Sequence, residues 1–199
     1  MSPSLLCKFI KSEKIRLLIL LISKIDYICP TLITMKYKLI KLPQLSGRKA
    51  SIYTLFNLNM QKTTFDIFYE KHVDSFKDEI IDIILRLQSI GDLGALDYFF
   101  KNKEGTLGDG VCALHDKPNS NLRLYCIRFG SDILILGGGG YKPKKIKALQ
   151  EDETLTKENY LMRFISKEIS KRIIDREITF SKDNLDFQGH VEFNTIEKN

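Results

Sequence analysis

Two stretches of this chain concentrate side chains that handle phosphate and protons. They are Leu122-Arg-Leu-Tyr-Cys-Ile-Arg128 and Tyr141-Lys-Pro-Lys-Lys145, the second preceded by four glycines at 137–140. Arg123 carries a planar, permanently charged guanidinium whose fork of donors suits a phosphate or a carboxylate. Tyr125 stands two residues on, so in an extended strand the two share a face; a core tyrosine is the plainer reading. Arg128 has the opposite parity and reads as a solvated charge at a strand end. Lys142, Lys144 and Lys145 form the clearest basic cluster, with a solvated loop as the equal alternative. Glycines let backbone N–H groups approach a phosphate, but the G-x-x-x-x-G-K-[ST] pattern is absent, which disfavours a P-loop. His115, with an ordinary pKa of about 6.5, can give or take a proton near neutrality. His72 and His190 have no visible partners and read as surface residues.

Composition narrows the classes. The 199 residues are 43% hydrophobic and 28% charged, ordinary globular values that argue against wholesale disorder. The net charge of +6 permits a nucleic-acid partner without demanding one. Cys7, Cys29, Cys112 and Cys126 make no CxxC and no Cys/His spacing for zinc, so no metal or cofactor is expected. Cys112 and Cys126 sit in apolar strand-like runs and read as buried thiols. Nothing resembles a disulfide framework, which points to a reducing, cytoplasmic setting.

The elements that must position these residues follow from periodicity. Residues 37–42 form a strand pattern opened by Met35, followed by a Pro/Gly turn at 43–47. Residues 51–57 fit either helix or strand. Apolar residues at Phe65, Phe68, Val73, Phe76, Ile80, Ile83, Leu87 and Ile90 have helical spacing. We read two helices, 64–71 and 76–90, with a capping box at Ser75 and Asp78 and Gly91 as the stop. Strands at 111–115, 122–129 and 132–136 make an antiparallel meander, the second and third joined by a two-residue Gly130-Ser131 turn. The glycine run is read as a turn. A short helix at 147–153 and a longer one at 157–177 follow. Thr156 is the expected cap of the longer helix, and Tyr160, Leu161, Phe164, Ile165, Ile169 and Ile173 its inner face. Strand-like pieces at 178–180 and 190–193 end the chain.

The expected fold is α+β: a small antiparallel sheet of the N-terminal strand plus the three-stranded meander, a helix pair on one face, and added C-terminal helices. Residues 1–34 look foreign to it. Their apolar run is shorter than the roughly 20 residues of a membrane span and lacks a signal-peptide cleavage pattern. We expect translation to begin at Met35, with 1–34 a mis-joined or disordered extension; a basic amphipathic surface anchor is the rival. Residues 35–153 form the main domain, and 154–199 a helix and strand-like tail packed on it.

This order resembles the RelE/ParE superfamily of bacterial toxins, most nearly its phage-derived, HigB-like branch. Three passages carry the likeness: Ile84-Leu-Arg-Leu-Gln-Ser-Ile-Gly91, Leu122-Arg-Leu-Tyr-Cys-Ile-Arg128, and Ile133-Leu-Ile-Leu136 with the Gly/Lys stretch and helix after it. Together they span residues 37–151; the two ends match no minimal toxin. The resemblance implies a toxin neutralised by a neighbouring antitoxin, commonly a helix-turn-helix DNA-binding protein. Some members cleave messenger RNA on the ribosome without a metal, and others poison gyrase. Carried onto this chain, Arg123 would bind the scissile phosphate, and Tyr125 would stack on a base or donate a proton. His115 would be a general acid or base where relatives place an arginine. Lys145 would join the catalytic set, and Lys142, Lys144, Lys145 and Arg128 would hold RNA phosphates. Relatives usually carry a Leu-His-x-Phe-like strand end before paired lysines; here the glycines and Tyr141 stand instead.

Register sets a further condition. If the hairpin pairs symmetrically around 116–121, His115 faces Leu122 and Arg123 points the other way; a slip of one residue reverses this. The expected function is a metal-independent mRNA endoribonuclease toxin with antitoxin, mRNA and ribosome as partners and no membrane. The alternative is a non-catalytic binding protein on the same fold.

Overall fold

A computed structural model describes residues 33–102, 104–115, 120–142 and 152–197. Contacts divide the chain into Met35–Thr195 and a second unit of Met1–Thr34 with Ile196–Asn199; of the second only 33–34 and 196–197 are described, as strand ends. The expectation for the extension at 1–34 thus falls almost wholly outside the described residues, as does the short helix at 147–153 up to residue 151.

The elements run β1 (Ile33–Lys41), β2 (Ser51–Asn57), β3 (Lys62–Thr63), α1 (Thr64–His72), α2 (Lys77–Leu93), a 3-10 turn (Asp97–Phe99), β4 (Phe100–Lys101), β5 (Val111–Leu114), β6 (Leu122–Phe129), β7 (Ile133–Tyr141), α3 (Glu153–Ile174), β8 (Ile178–Phe180), β9 (Phe187–Gly189) and β10 (Glu192–Glu197). The fold is mixed α and β with a mostly antiparallel sheet. That sheet has eight strands in the order β10-β1-β2-β7-β6-β5-β4, with β3 beside β2, and β8 and β9 form a separate hairpin. It is larger than the four strands expected. The ambiguous segment 51–57 is a strand, and it runs parallel to β7 from Ser51↔Ile133 to Thr54↔Leu136. Both strands are buried on two faces, as a parallel pair inside a sheet requires.

Alternation along β6 separates two cores. Leu122, Leu124 and Cys126 pack with Phe68, Ile80, Ile83, Leu87 and Ile90 of the helix pair. Tyr125 and Ile127 pack with Leu155, Met162, Ile165 and Ile169 of α3. The helix pair therefore covers one face, as expected, and α3 covers the other. The C-terminal tail docks on this second side: Ile178 and Phe193 are buried, Lys41 and Tyr53 bind the Asp186 carboxylate at 2.6 and 2.8 Å, and the Phe187 ring lies 5.5 Å from Tyr53.

Several local expectations are corrected. The capping box belongs to α1, where Thr63 Oγ1 accepts from Asp66 N at 2.8 Å and Asp66 Oδ2 from Thr63 N at 3.4 Å; α2 starts after Phe76 with no side-chain cap. Gly91 does not stop α2, which runs to Leu93 and ends at Gly94, φ +98°. Gly91 is small because its backbone meets the 45–50 turn: its carbonyl accepts from Lys49 N and Ala50 N, both at 3.0 Å, and a Cβ there would stand 2.5 Å from Leu45 O. Asp152, not Thr156, caps α3 through Leu155 N at 2.8 Å. The inner face of α3 is Leu155, Asn159, Met162, Ile165, Ser166 and Ile169, while Tyr160 and Phe164 point outward. Phe129 pairs with Ile133, so the last turn has three residues, Gly130 to Asp132, with Gly130 at φ +62°.

The glycine run is not a turn. It is the second half of β7, with Gly140 opposite Arg123 and Gly139 opposite Leu124. The pairing then shifts, with Leu136 opposite Cys126, which leaves Gly137 and Gly138 together opposite Tyr125. Such a bulge places two residues against one and favours small side chains. A Cβ at Gly137 would strike the Met162 thioether, one at Gly138 the Glu158 carboxylate, and one at Gly139 the Arg123 carbonyl. The run lets α3 lie close against the sheet.

Candidate functional site

Arg123 and Tyr125 do share a face, but it is the face under α3. Tyr125 is fully buried and Arg123 is only 7% exposed. Arg123 Nη1 donates to Glu104 Oε1 at 2.7 Å, in a pair whose side chains are 8% and 13% exposed. The Glu104 carbonyl accepts from Asn159 Nδ2 at 2.7 Å. One cluster therefore ties β6, the 104–110 loop and α3. Arg123 Nε and Asn159 Oδ1 are buried without a hydrogen-bond partner among the described residues. Burial pushes the Tyr125 phenol well up, the Glu104 charge adds to this, and Arg123 offsets only part. The phenol stays protonated at any physiological pH.

The hairpin register is the slipped one. Ala113 pairs with Tyr125 and Cys112 with Cys126, one residue from symmetric pairing around 116–121. His115 lies just past β5, its N–H bound to the Phe99 carbonyl at 2.7 Å. It is exposed, and it borders a crevice of about 10 Å³ with Glu79, Asp82 and Arg86 of α2. That volume has room for no more than one water. The crevice lies on the helix-pair side, while Arg123 faces α3; the structure does not gather the two into one site. Glu79 is the organiser here: its carboxylate accepts from Ser120 Oγ, Asn121 N, Asn121 Nδ2 and Leu122 N at 2.8, 2.8, 2.9 and 2.9 Å. Burial works to raise its pKa, but these four bonds outweigh it and hold the carboxyl below the usual range.

Arg128 has the opposite parity to Arg123, as alternation requires, but it is not a solvated strand end. Its guanidinium lies over the Phe100 ring, 4.9 Å from the centroid. Nη1 donates to Asp97 Oδ1 at 2.6 Å and to Asn102 Oδ1 at 3.4 Å. The hydrogen bond and charge of Arg128 lower the Asp97 pKa. Together they border an open groove of about 510 Å³ with the 105–110 loop. A phosphate entering there would compete with Asp97 for the guanidinium.

Lys142 is half-buried, and its N–H binds the Asn121 carbonyl at 2.6 Å. Lys144 and Lys145 lie outside the described residues. Tyr141 stacks on Phe76, with ring centroids 5.6 Å apart. His72 is corrected: it is buried, with the Phe68 and Phe76 rings 5.2 and 6.0 Å away. His190 is exposed, as expected. Cys112 and Cys126 are free and buried, and burial pushes the Cys112 thiol up to about 12. Among the described residues no helix is long and apolar enough to cross a membrane.

Comparison with protein-family models, curated proteins and solved structures finds no match. The geometry therefore carries the functional argument. Of the residues marked in the sequence, Arg123, Tyr125, His115, Arg128 and Lys142 fall in three separate surroundings. Glu104, Asn159, Glu79 and Asp97, which set those surroundings, were not marked. Each acts on a residue between 19 and 55 positions away, beyond any local spacing.

Proposed function

We propose that this chain is the toxin of a toxin–antitoxin pair of the RelE/ParE kind, and that it disables its target by binding. The helix pair and, after it, the antiparallel β5–β6–β7 meander followed by a helix support the first part, although three strands rather than one precede the helix pair. The observation that carries the second is the Arg123–Glu104 pair, closed beneath α3. A guanidinium already neutralised and shielded is poorly placed to stabilise the charge that builds on a scissile phosphate.

Removing one partner from a buried ion pair costs about 3–5 kcal/mol, so Arg123→Ala would confuse unfolding with loss of function. The cleaner variant combines Arg123→Met with Glu104→Leu, replacing both partners with apolar groups. The test is growth on induction of the chain, wild type beside this double variant, with cellular RNA ends mapped. Arrest by both proteins without new RNA ends is the expected result. New RNA ends with wild type that vanish in a folded double variant would establish cleavage instead.

Metal-independent mRNA cleavage is the second reading. The Arg123 Nε and Asn159 Oδ1 atoms, without partners among the described residues under α3, favour it, because an interface built only for packing leaves few such atoms.

A further inference from the structure

We propose that the outward face of α3, with the tip of the 104–110 loop, docks an acidic amphipathic helix of a partner protein. The proposal rests on this surface alone and holds or fails without the toxin reading.

The outer positions of α3 run Lys157, Tyr160, Phe164, Lys167, Lys171 and Ile174, at alternating steps of three and four. That is one continuous stripe on a helix. Every member is exposed, and for the apolar ones the values are 54% for Tyr160, 37% for Phe164 and 80% for Ile174. Beside the stripe, Leu107 at the loop tip is fully exposed. Leu107, Tyr160 and Phe164 border a groove of about 550 Å³ between loop and helix. Arg163 spans it, 5.7 Å from the centre of the Tyr160 ring and 3.9 Å from Asp109. The opposite face of α3 already supplies the core, so the exposed Tyr160, Phe164 and Ile174 are not needed for it. Single exposed apolar residues are ordinary; the cluster of Leu107, Tyr160 and Phe164 around a groove marks an interaction surface.

Charge selects the occupant. Lys157 is partly neutralised by Glu153 at 3.0 Å, but among the described residues Lys167 and Lys171 meet no carboxylate. With Arg163 they give the stripe a positive margin, which favours a negative partner. The chain's own remaining segments are basic: residues 1–34 hold five Lys/Arg against two acidic residues, and 143–151 hold Lys144, Lys145 and Lys147 against Glu151. A second copy meeting face to face would set lysine against lysine. Single-stranded nucleic acid would use the aromatic rings as stacking platforms, but it has no use for the aliphatic Leu107 and Ile174. An amphipathic helix uses all of them, through apolar anchors at three- and four-residue spacing with acids on its flanks. The stripe is about 26 Å long, which matches a partner helix of about 18 residues.

The test is selection of a phage-displayed library of random peptides, about 18 residues long, on the full chain at about 150 mM salt, where long-range attraction is screened. The expected winners are net acidic, with apolar residues at three- and four-residue spacing. Their affinity should fall about tenfold or more, some 1.4 kcal/mol, for Phe164→Ser and separately for Lys167→Glu combined with Lys171→Glu. It should be unchanged for Met60→Ser, an exposed apolar site elsewhere. All these positions are exposed, and unaltered thermal melts confirm that the variants fold. No enrichment, winners without acidic character, or winners indifferent to the stripe would overturn the proposal. So would a single-stranded RNA, or self-association of the chain, that depends on these same residues.

Discussion

At the scale of single residues, burial decides what ionisable groups do. His72 sits among rings rather than in water, and burial, followed by the neighbouring Lys71 charge, lowers its pKa from 6.5. The folded protein therefore binds this proton less readily than the unfolded chain does. The sign follows from linkage: the contribution of His72 is fully present above pH 6.5 and is lost as pH falls through the lowered folded value. Urea unfolding of wild type and His72→Phe across that window should show a fall in wild-type stability that is shallower in the variant. Parallel curves would mean that the ring is protonated equally well in both states.

At the scale of elements, the glycines of β7 are steric rather than flexible. Gly139 has no room for a Cβ because the Arg123 carbonyl, a backbone atom paired in the sheet, occupies the place. At Gly140 the nearest obstacle is the Leu155 methyl at 3.3 Å, on a side chain that can turn. Gly139→Ala should therefore cost about 1–3 kcal/mol, within the usual range for overpacking, and Gly140→Ala distinctly less. Thermal or urea melts of the two variants give the comparison. Equal losses would indicate that β7 shifts as a unit to admit either methyl. Four consecutive glycines give a turn signal locally, and only the partner strand, through the bulge, shows that their smallness serves close packing.

At the scale of the whole molecule, the C-terminal tail is part of the fold. Ile178 and Phe193 are buried to 0% and 1% exposure, Leu39 N binds the Val191 carbonyl at 3.0 Å, and Arg172 lies over the Phe193 ring at 4.4 Å. Each fully buried large apolar side chain contributes about 1.5–3 kcal/mol. A chain ending at residue 177 should lose at least about 3 kcal/mol of stability by urea unfolding. An unchanged midpoint would show that the tail rests on the surface without supporting it.

By itself the sequence determined those features that depend on neighbours along the chain. Helical spacing located α1 and α2 to within a few residues, alternation gave β6 its bounds and placed Arg123 and Tyr125 on a shared face, and apolar context marked Cys112 and Cys126 as buried. These follow from periods of 3.6 and 2, which any window of ten residues displays. Tertiary structure decided everything that depends on which segments meet. The parallel pairing of β2 with β7 joins residues about eighty positions apart. It also decided which side of α3 faces the sheet, because Tyr160 and Phe164 are as apolar in sequence as Met162 and Ile169, and only packing chooses between them. It settled the fate of Arg123, since a guanidinium reads the same in sequence whether it awaits a phosphate or already holds Glu104. The physical reason is common to all three: pairing, facing and ion-pairing energies come from contacts across space, and local sequence carries no term for them.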